Sequence, residues 1–382
     1  MHMISSTTHK IYKHGLKPIL FKQKPDQVHD RLIKSGSVLQ KTRIVPAVVS
    51  AMWAYNNEPK LSQDILDIHF SNPVGLSAGF DKNFELVPML KASGFGFMEG
   101  GSITIRPCEG NARPWFYRLP KSKSLVVYAG LANQGASVVL SRLENYRIST
   151  LRNFPINISV AKTNSKKSAS EAEAINDYIG SLKIIKKRDL GQIVTLNISC
   201  PNTYGGEPFT TPEKLERLLT AVDSLNISKP IFIKMPSNIR WKDFKALLKV
   251  ADAHQISGVT FCNLAKDRSK LTLHDPLPDD IKGNLSGKPT WKLSNQLIRQ
   301  TYLLYGDRFT IIGVGGIFSA EDAYTKIRLG ASLVELITGM IFEGPQLIGQ
   351  INRGLAELLK RDGYDNISEA IGVDSLQATS PR

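Results

Sequence analysis

The stretch "FTIIGVGGIFSAEDAYTKIRLGASLVELIT", residues 309–338, holds a complete structural unit. An apolar run ends in the glycine cluster Gly313-Val314-Gly315-Gly316, an amphipathic segment (321–330) follows, and a second apolar run (332–338) closes it. Strands that are apolar without alternation are covered on both faces, as in parallel sheets whose crossovers are helices. The unit therefore predicts strand, helix, strand. The place of its glycines in the chain decides how such units assemble. A doubly wound open sheet carries its glycine-rich phosphate loop after the first strand, whereas a closed barrel often binds phosphate in the loops after its seventh and eighth.

Counting outward gives the answer. Six earlier runs have the same character: "PVGLSA" (73–78), "FGFMEGGSI" (95–103), "PINISV" (155–160), "IVTLNIS" (193–199), "PIFIKM" (230–235) and "GVTFCN" (258–263). Helical patterns such as "PEKLERLLTAVDSL" (212–225) lie between most of them. The glycine cluster thus follows the seventh of eight runs. The expected fold is α/β, a (β/α)₈ TIM barrel, with a small helical extension at the N-terminus.

At 382 residues and 42% hydrophobic content, the chain suffices for one large core plus an appendage. It has no run of about 18 apolar residues, so no spanning helix is expected, and its start lacks the apolar core of a signal peptide. Cys108, Cys200 and Cys262 are odd in number and widely spaced. That argues against a disulfide framework, a paired-cysteine zinc site and a resident iron–sulfur centre, so no metal is expected and a reducing compartment is. The net charge of +15 is spread along the chain without a zinc knuckle or RNA-binding signature, and no nucleic-acid partner is expected.

Residues 1–65 break the alternation. "HGLKPILFKQKPDQVHDRLIKSG" and "PAVVSAMWAY" read as two short amphipathic helices, with Lys17, Lys22 and Lys24 among Leu16, Ile19, Leu20 and Phe21. Such faces suit a lipid headgroup layer and equally suit packing on the chain's own barrel.

Polar residues gather where the strands end, the face on which a barrel builds its active site. They are Lys82 after the first strand, Ser102 and Thr104 on the second, Asn157 on the third, Asn197, Cys200 and Asn202 on the fourth, Lys234 on the fifth, Asn263 on the sixth and Thr338 on the eighth. Singly, such residues cap turns or face water. Together they describe a lining. Lys234, behind "PIFI", would stand at the barrel mouth and offset negative charge developing on a cofactor. Carboxamides both donate and accept, which suits a planar ligand with alternating carbonyl and N–H groups. Flavin mononucleotide (FMN) matches both features, with its phosphate on "GVGG". In "TLNISCPNTYGG" (195–206), a thiol lies between two such carboxamides.

The segments "NPVGLSAGFDKNFE", "EGGSITIRPCEGNARPWFYRLP", "LNISCPNT", "GNLSGKP" and "IIGVGGIFSAEDAYTKIRLGASLVELIT" together resemble dihydroorotate dehydrogenase. "LKPILFKQKPDQVHDRL" is similar to the helical extension of its quinone-linked, membrane-associated class. The resemblance implies an FMN barrel (66–382) that oxidises dihydroorotate to orotate in de novo pyrimidine biosynthesis and passes electrons to quinone. It implies an extension (1–65) for membrane and quinone access, docked peripherally on the cytoplasmic face of a membrane, the inner membrane in a bacterium. By matching position, flavin contacts are Ala78, Gly79, Ser102, Asn157, Asn197, Lys234, Gly287, Gly316 and Thr338, and substrate contacts are Lys82, Asn197, Asn202 and Asn263. Cys200 takes the place of the catalytic base, which is usually serine in the quinone class and cysteine in the soluble classes.

Three positions depart from the pattern. Val127 replaces a substrate-contacting asparagine, Leu264 a threonine, and Cys262 a flavin-contacting threonine. Each exchange removes a hydrogen-bonding group, and an unmatched buried polar group costs ~1–3 kcal/mol. The alternative reading is an FMN barrel oxidoreductase acting on a different planar substrate or with a different electron acceptor.

Overall fold

The computed structural model describes residues 2–55, 58–147, 151–204, 206–237 and 239–377. Its strands in chain order are β1 (Gln63–Ile65), β2 (Ile68–Phe70), β3 (Val74–Leu76), β4 (Phe97–Ile103), β5 (Phe116–Leu119), β6 (Ser124–Val127) and β7 (Ile156–Val160). There follow β8 (Ile193–Asn197), β9 (Ile231–Lys234), β10 (Gly258–Phe261), β11 (Asn284–Leu285), β12 (Thr310–Val314) and β13 (Leu333–Leu336). Eight of these close in the order β3, β4, β7, β8, β9, β10, β12, β13 and back to β3, every neighbouring pair parallel. They are the eight runs read from the sequence, and Gly315-Gly316 follows the seventh, as the glycine argument requires.

Alternation along each strand sends one set of side chains outward and the other to the barrel axis. The outward set, including Leu76, Met98, Ile158, Leu196, Ile233 and Val334, is apolar and fully buried under the surrounding helices. Two of those helices begin at serines whose hydroxyls accept a free N–H of the first turn, Ser170 from Glu173 and Ser319 from Asp322.

The inward set is layered. At the bottom lie Phe97, Ile193, Phe232, Ile312 and Leu333, closed from below by Phe70 of the β1–β2 hairpin. Phe70 meets Phe97 edge to face at 5.4 Å. Two strands contribute no side chain here, which makes room for the rings. A Cβ at Gly75 would sit 2.3 Å from the Phe97 ring, and one at Gly258 would sit 2.5 Å from Phe232. The next layer up is polar: Ser77, Glu99, Asn157, Thr195, Lys234, Thr260 and Glu335, none more than 4% exposed.

Where two N-terminal helices are expected, the chain forms three helical segments: His2–Phe21 with a π-helical stretch at Tyr12–Leu16, then Pro25–Leu39, then Ile44–Trp53. The break falls before Pro25, whose ring disfavours helical geometry at Lys24, extended at φ −59°, ψ 129°. This extension is fastened to the small antiparallel sheet β5–β6–β11, which the sequence reading missed. The buried Asp26 carboxylate accepts the Trp115 and Phe116 N–H groups at 2.8 and 3.4 Å, and Arg118 donates to Phe21 O and Gln23 O. Leu16, Ile19, Leu32 and Ile44 are left 48–74% exposed. Among the described residues no helix is long and apolar enough to cross a membrane.

Gly75→Ala should destabilise the fold by ~1–3 kcal/mol, because the Phe97 ring cannot retreat from a filled axis. Gly15→Ala, where nothing lies within 4 Å of the added Cβ, should be neutral or stabilising by up to about 1 kcal/mol. Denaturant unfolding of the two variants checks the contrast.

Candidate active site

The loops leaving the C-terminal ends of the strands surround one cavity. Ala78, Gly79, Lys82, Ser102, Asn197, Cys200, Asn202, Lys234, Asn263, Gly287, Gly316 and Thr338 all line it. Asn157 does not. It is the second residue of β7, one layer below the cavity, where its Oδ1 accepts the Thr195 hydroxyl at 3.0 Å and its Nδ2 has no partner among the described residues. The expectation that it ends its strand is corrected by the length of β7, which runs on to Val160.

One end of the cavity is built from glycine. Gly315, Gly316 and Gly287 have φ of +110°, +75° and +82°, which side chains disfavour, and a Cβ on each would strike Thr290 Oγ1 at 2.7 Å, Trp291 Cβ at 2.5 Å and Lys123 O at 2.4 Å. The Ser286 and Thr338 hydroxyls, 2.9 Å apart, tie the loop before the Lys288–Thr290 turn to the start of the Thr338–Glu343 helix. The result is a backbone-lined recess with hydroxyls at its edge, suited to an anion.

The middle of the cavity is a chain of side-chain hydrogen bonds. Asn263 Nδ2 donates to Asn197 Oδ1 at 3.0 Å, Asn197 Nδ2 to Ser102 Oγ at 2.8 Å, and Ser102 Oγ meets Ser159 Oγ at 2.8 Å. Lys234 rises from the polar layer beneath. Its Nζ lies 3.2 Å from Ser77 Oγ and 3.4 Å from each oxygen of Glu99.

Three further titratable side chains, Lys82, His29 and Cys200, line the cavity. Lys82 stands 5.7 Å from the centres of both the Trp115 and Phe116 rings, and burial brings its ammonium down to about 8. His29, reaching in from the Pro25–Leu39 helix, sets Nε2 3.0 Å from Phe80 O; burial first, then Lys82, lowers it to about 4 and keeps it neutral. Burial pushes the Cys200 thiol up to about 11, and the Asn202 N–H and Lys162 pull against that rise.

The Cys200 loop is held at several points. Asn202 donates to Val127 O at 2.9 Å and accepts from Asn284 at 2.6 Å, joining the loop to β6 and β11. Lys162, 3% exposed, donates to Tyr204 O at 2.7 Å, and Asn164 Oδ1 accepts the Tyr204 N–H at 2.6 Å. Val127 and Leu264 both reach the cavity wall, and Val127 engages Asn202 only through its backbone carbonyl. Cys262 lines the same wall, 6% exposed. Thr104 instead serves structure, its hydroxyl donating to Arg106 O at 2.6 Å.

Several residues of this site were not picked out from the sequence: Ser77, Glu99, Lys162 and Glu335. Their one signal is a lone polar or charged residue within or just after an otherwise apolar strand, as Glu99 in "FMEGG" and Glu335 in "LVELI".

Comparison with known proteins bears on the family and the fold. A family model described as dihydroorotate dehydrogenase matches residues 60–359. Proteins named dihydroorotate dehydrogenase (quinone) from Acaryochloris marina and Nostoc punctiforme are 32% and 34% identical, each over 95% of this chain and over 99% and 98% of their own lengths. One of the same name from Myxococcus xanthus is 36% identical over 85% of this chain and 87% of its own. Among solved structures, the DHODH of Eimeria tenella in complex with ferulenol superposes with a TM-score of 0.80 at 26% identity, covering 92% of this chain and 96% of that one. With a model match that runs from just before the first hairpin into the Leu347–Asp362 helix, and relatives aligned over nearly their whole length, the chain belongs to the dihydroorotate dehydrogenase family.

Proposed function

We propose that this chain is a dihydroorotate dehydrogenase that binds FMN in the barrel (66–382), oxidises dihydroorotate to orotate, and delivers electrons to quinone reached through the N-terminal extension (1–65). The observation that carries this reading is that one cavity gathers a glycine recess, the Lys234 ammonium rising from the layer beneath, the Cys200 thiol and a second ammonium, Lys82. The residues present fit the cofactor. The recess is closed to any Cβ at Gly287, Gly315 and Gly316, so its bare backbone would hold the phosphate, and Lys234, which lines the same cavity, would supply a cation to the ring. Family membership supports flavin chemistry in general, and the quinone-linked names of the relatives support the acceptor. The alternative of another planar substrate draws no support from those names.

FMN, when bound, supplies the acceptor for the hydride leaving C6 of dihydroorotate. Cys200 takes the proton from C5. A thiol at about 11 is protonated at neutral pH, so the fraction able to act as base, and with it the rate, rises with pH up to that value. Lys82 offers its charge to the substrate carboxylate, which restores the full protonation that burial weakens. Asn197, Asn202 and Asn263 orient the ring, their carboxamides already fixed by one another and by β6 and β11. Lys234 offsets the negative charge that hydride transfer adds to the floor. Exposed Leu16, Ile19 and Ile44, beside Lys17, Lys22 and Lys24, support peripheral docking of the extension on the cytoplasmic face of a membrane.

Anaerobic dihydroorotate should bleach the flavin of purified protein, and quinone should restore it where NAD⁺ and fumarate do not. In Cys200→Ala the bleaching should slow by roughly 10²–10⁴-fold with flavin still bound, and Cys200→Ser should keep only a slow reduction that increases with pH. Stopped-flow traces at several pH values measure both, and bleaching of the alanine variant at the wild-type rate refutes the mechanism. Val127→Asn with Leu264→Thr should tighten orotate binding by roughly 1 kcal/mol per restored hydrogen bond, read by titration of the flavin spectrum. Ile19→Glu with Ile44→Glu should release the protein from anionic liposomes in a flotation assay and leave flavin reduction by dihydroorotate unchanged.

A further inference from the structure

The polar layer under the cavity holds two carboxyl groups and one ammonium, all within the barrel. Lys234 divides its contacts evenly between the two oxygens of Glu99, 3.4 Å to each, and adds Ser77 Oγ at 3.2 Å. Glu335, on the far side of β3 from Glu99, is 0% exposed; its carboxyl lies near that of Glu99 and near the Ser77 hydroxyl, and among the described residues it has no ion pair. Its charged neighbours are Glu99 and Lys234. The other inward groups of the layer, Ser77 just after β3, Asn157 on β7, Thr195 on β8 and Thr260 on β10, do not titrate, and Val314 on β12 is apolar. Above them Cys262 is a thiol pushed up to about 11 by burial and therefore neutral. Behind it the buried Lys326 ammonium is taken up by Ser294 Oγ and Asn295 Oδ1 at 2.9 and 2.8 Å.

One ammonium cannot neutralise two carboxylates. A second buried carboxylate beside the first is strongly disfavoured, so the layer balances when a single proton is kept on the pair. Geometry says which group keeps it: Glu99 has the ion pair and Glu335 has none. Burial, and next to it the Glu99 charge, hold Glu335 well above the ordinary carboxylate range, with Lys234 acting the other way.

We propose that Glu335 is a positioning residue for the flavin reaction, a neutral acid at working pH that keeps the layer under the ligand balanced, and whose ionisation in alkali makes that layer net negative. This rests on the flavin reading of the cavity. Hydride transfer brings two electrons and one proton from substrate C6 and adds one negative charge to the site, needing no further reactant. With Glu335 neutral, Lys234 meets that charge. With Glu335 ionised, the layer is negative and opposes it, so the preference for the reduced state drops as pH rises through the Glu335 ionisation.

Glu335→Gln tests this, since a carboxamide copies the neutral acid in shape and charge. Midpoint potentials of the flavin-loaded proteins, measured against pH, should coincide from acid to neutral pH. Above the break, wild type should lose an extra tenfold in preference for the reduced state per pH unit, about 30 mV for a two-electron couple, and the glutamine variant should not. Infrared spectra of flavin-free wild type in H₂O and D₂O should contain the isotope-sensitive C=O stretch of a buried carboxylic acid at neutral pH, absent in Glu335→Gln. A variant potential above wild type at every pH, or flavin-free wild type lacking that band, overturns the proposal. Failure of the wild-type protein to take up flavin would instead overturn the functional reading, with the infrared result still deciding the protonation of Glu335.

Discussion

A ring of eight parallel strands has a fixed interior, and every second residue of every strand must share it. That constraint governs the rest of the molecule. Phe97 and Phe232 fill the bottom only because Gly75 and Gly258 withdraw. Phe70 then closes that layer from below. The polar layer above is buried, none of its members more than 4% exposed. Lys234 can stand as a cation on the cavity floor because Glu99 is fixed beneath it. The chemistry at the top of the barrel is thus set from the bottom up, by which side chains the axis has room for.

The Cys200 wall obeys a different logic. Its loop is held by backbone and carboxamide contacts from four directions: Lys162 and Asn164 behind, Val127 and Asn284 across. A thiol raised to about 11 is a weak acid, and a weak acid is a strong base once ionised. In the proposed reaction, rigid placement would compensate for the small ionised fraction. Lys82 and the neutral His29, which line the same cavity, bring together the barrel and the extension.

The eight barrel strands are legible in the sequence because burial on both faces leaves an uninterrupted apolar run, and the position of Gly315-Gly316 orders them. β5, β6 and β11 are not legible. They are four residues or fewer, partly exposed, and paired across long stretches of chain, Val127 with Asn284 among them. Lining residues on loops, such as Lys82 and Asn202, can be read from the polar end of each strand. Residues of the polar layer cannot, since periodicity says which face Glu99 and Glu335 share but not that they share one ammonium. Asn157 shows the limit in reverse: a polar residue in a strand was assigned to the strand's end, whereas strand length placed it a layer deeper.

The Asp26 carboxylate has a consequence for how this architecture can change over descent. It closes two main-chain N–H groups at the start of β5, those of Trp115 and Phe116, the residues whose rings stand beside Lys82. A lineage that discarded the extension would leave those donors bare at the rim of the pocket and would have to rebuild that rim at the same time. The extension is therefore no detachable accessory, and its ancestry is bound to that of the pocket.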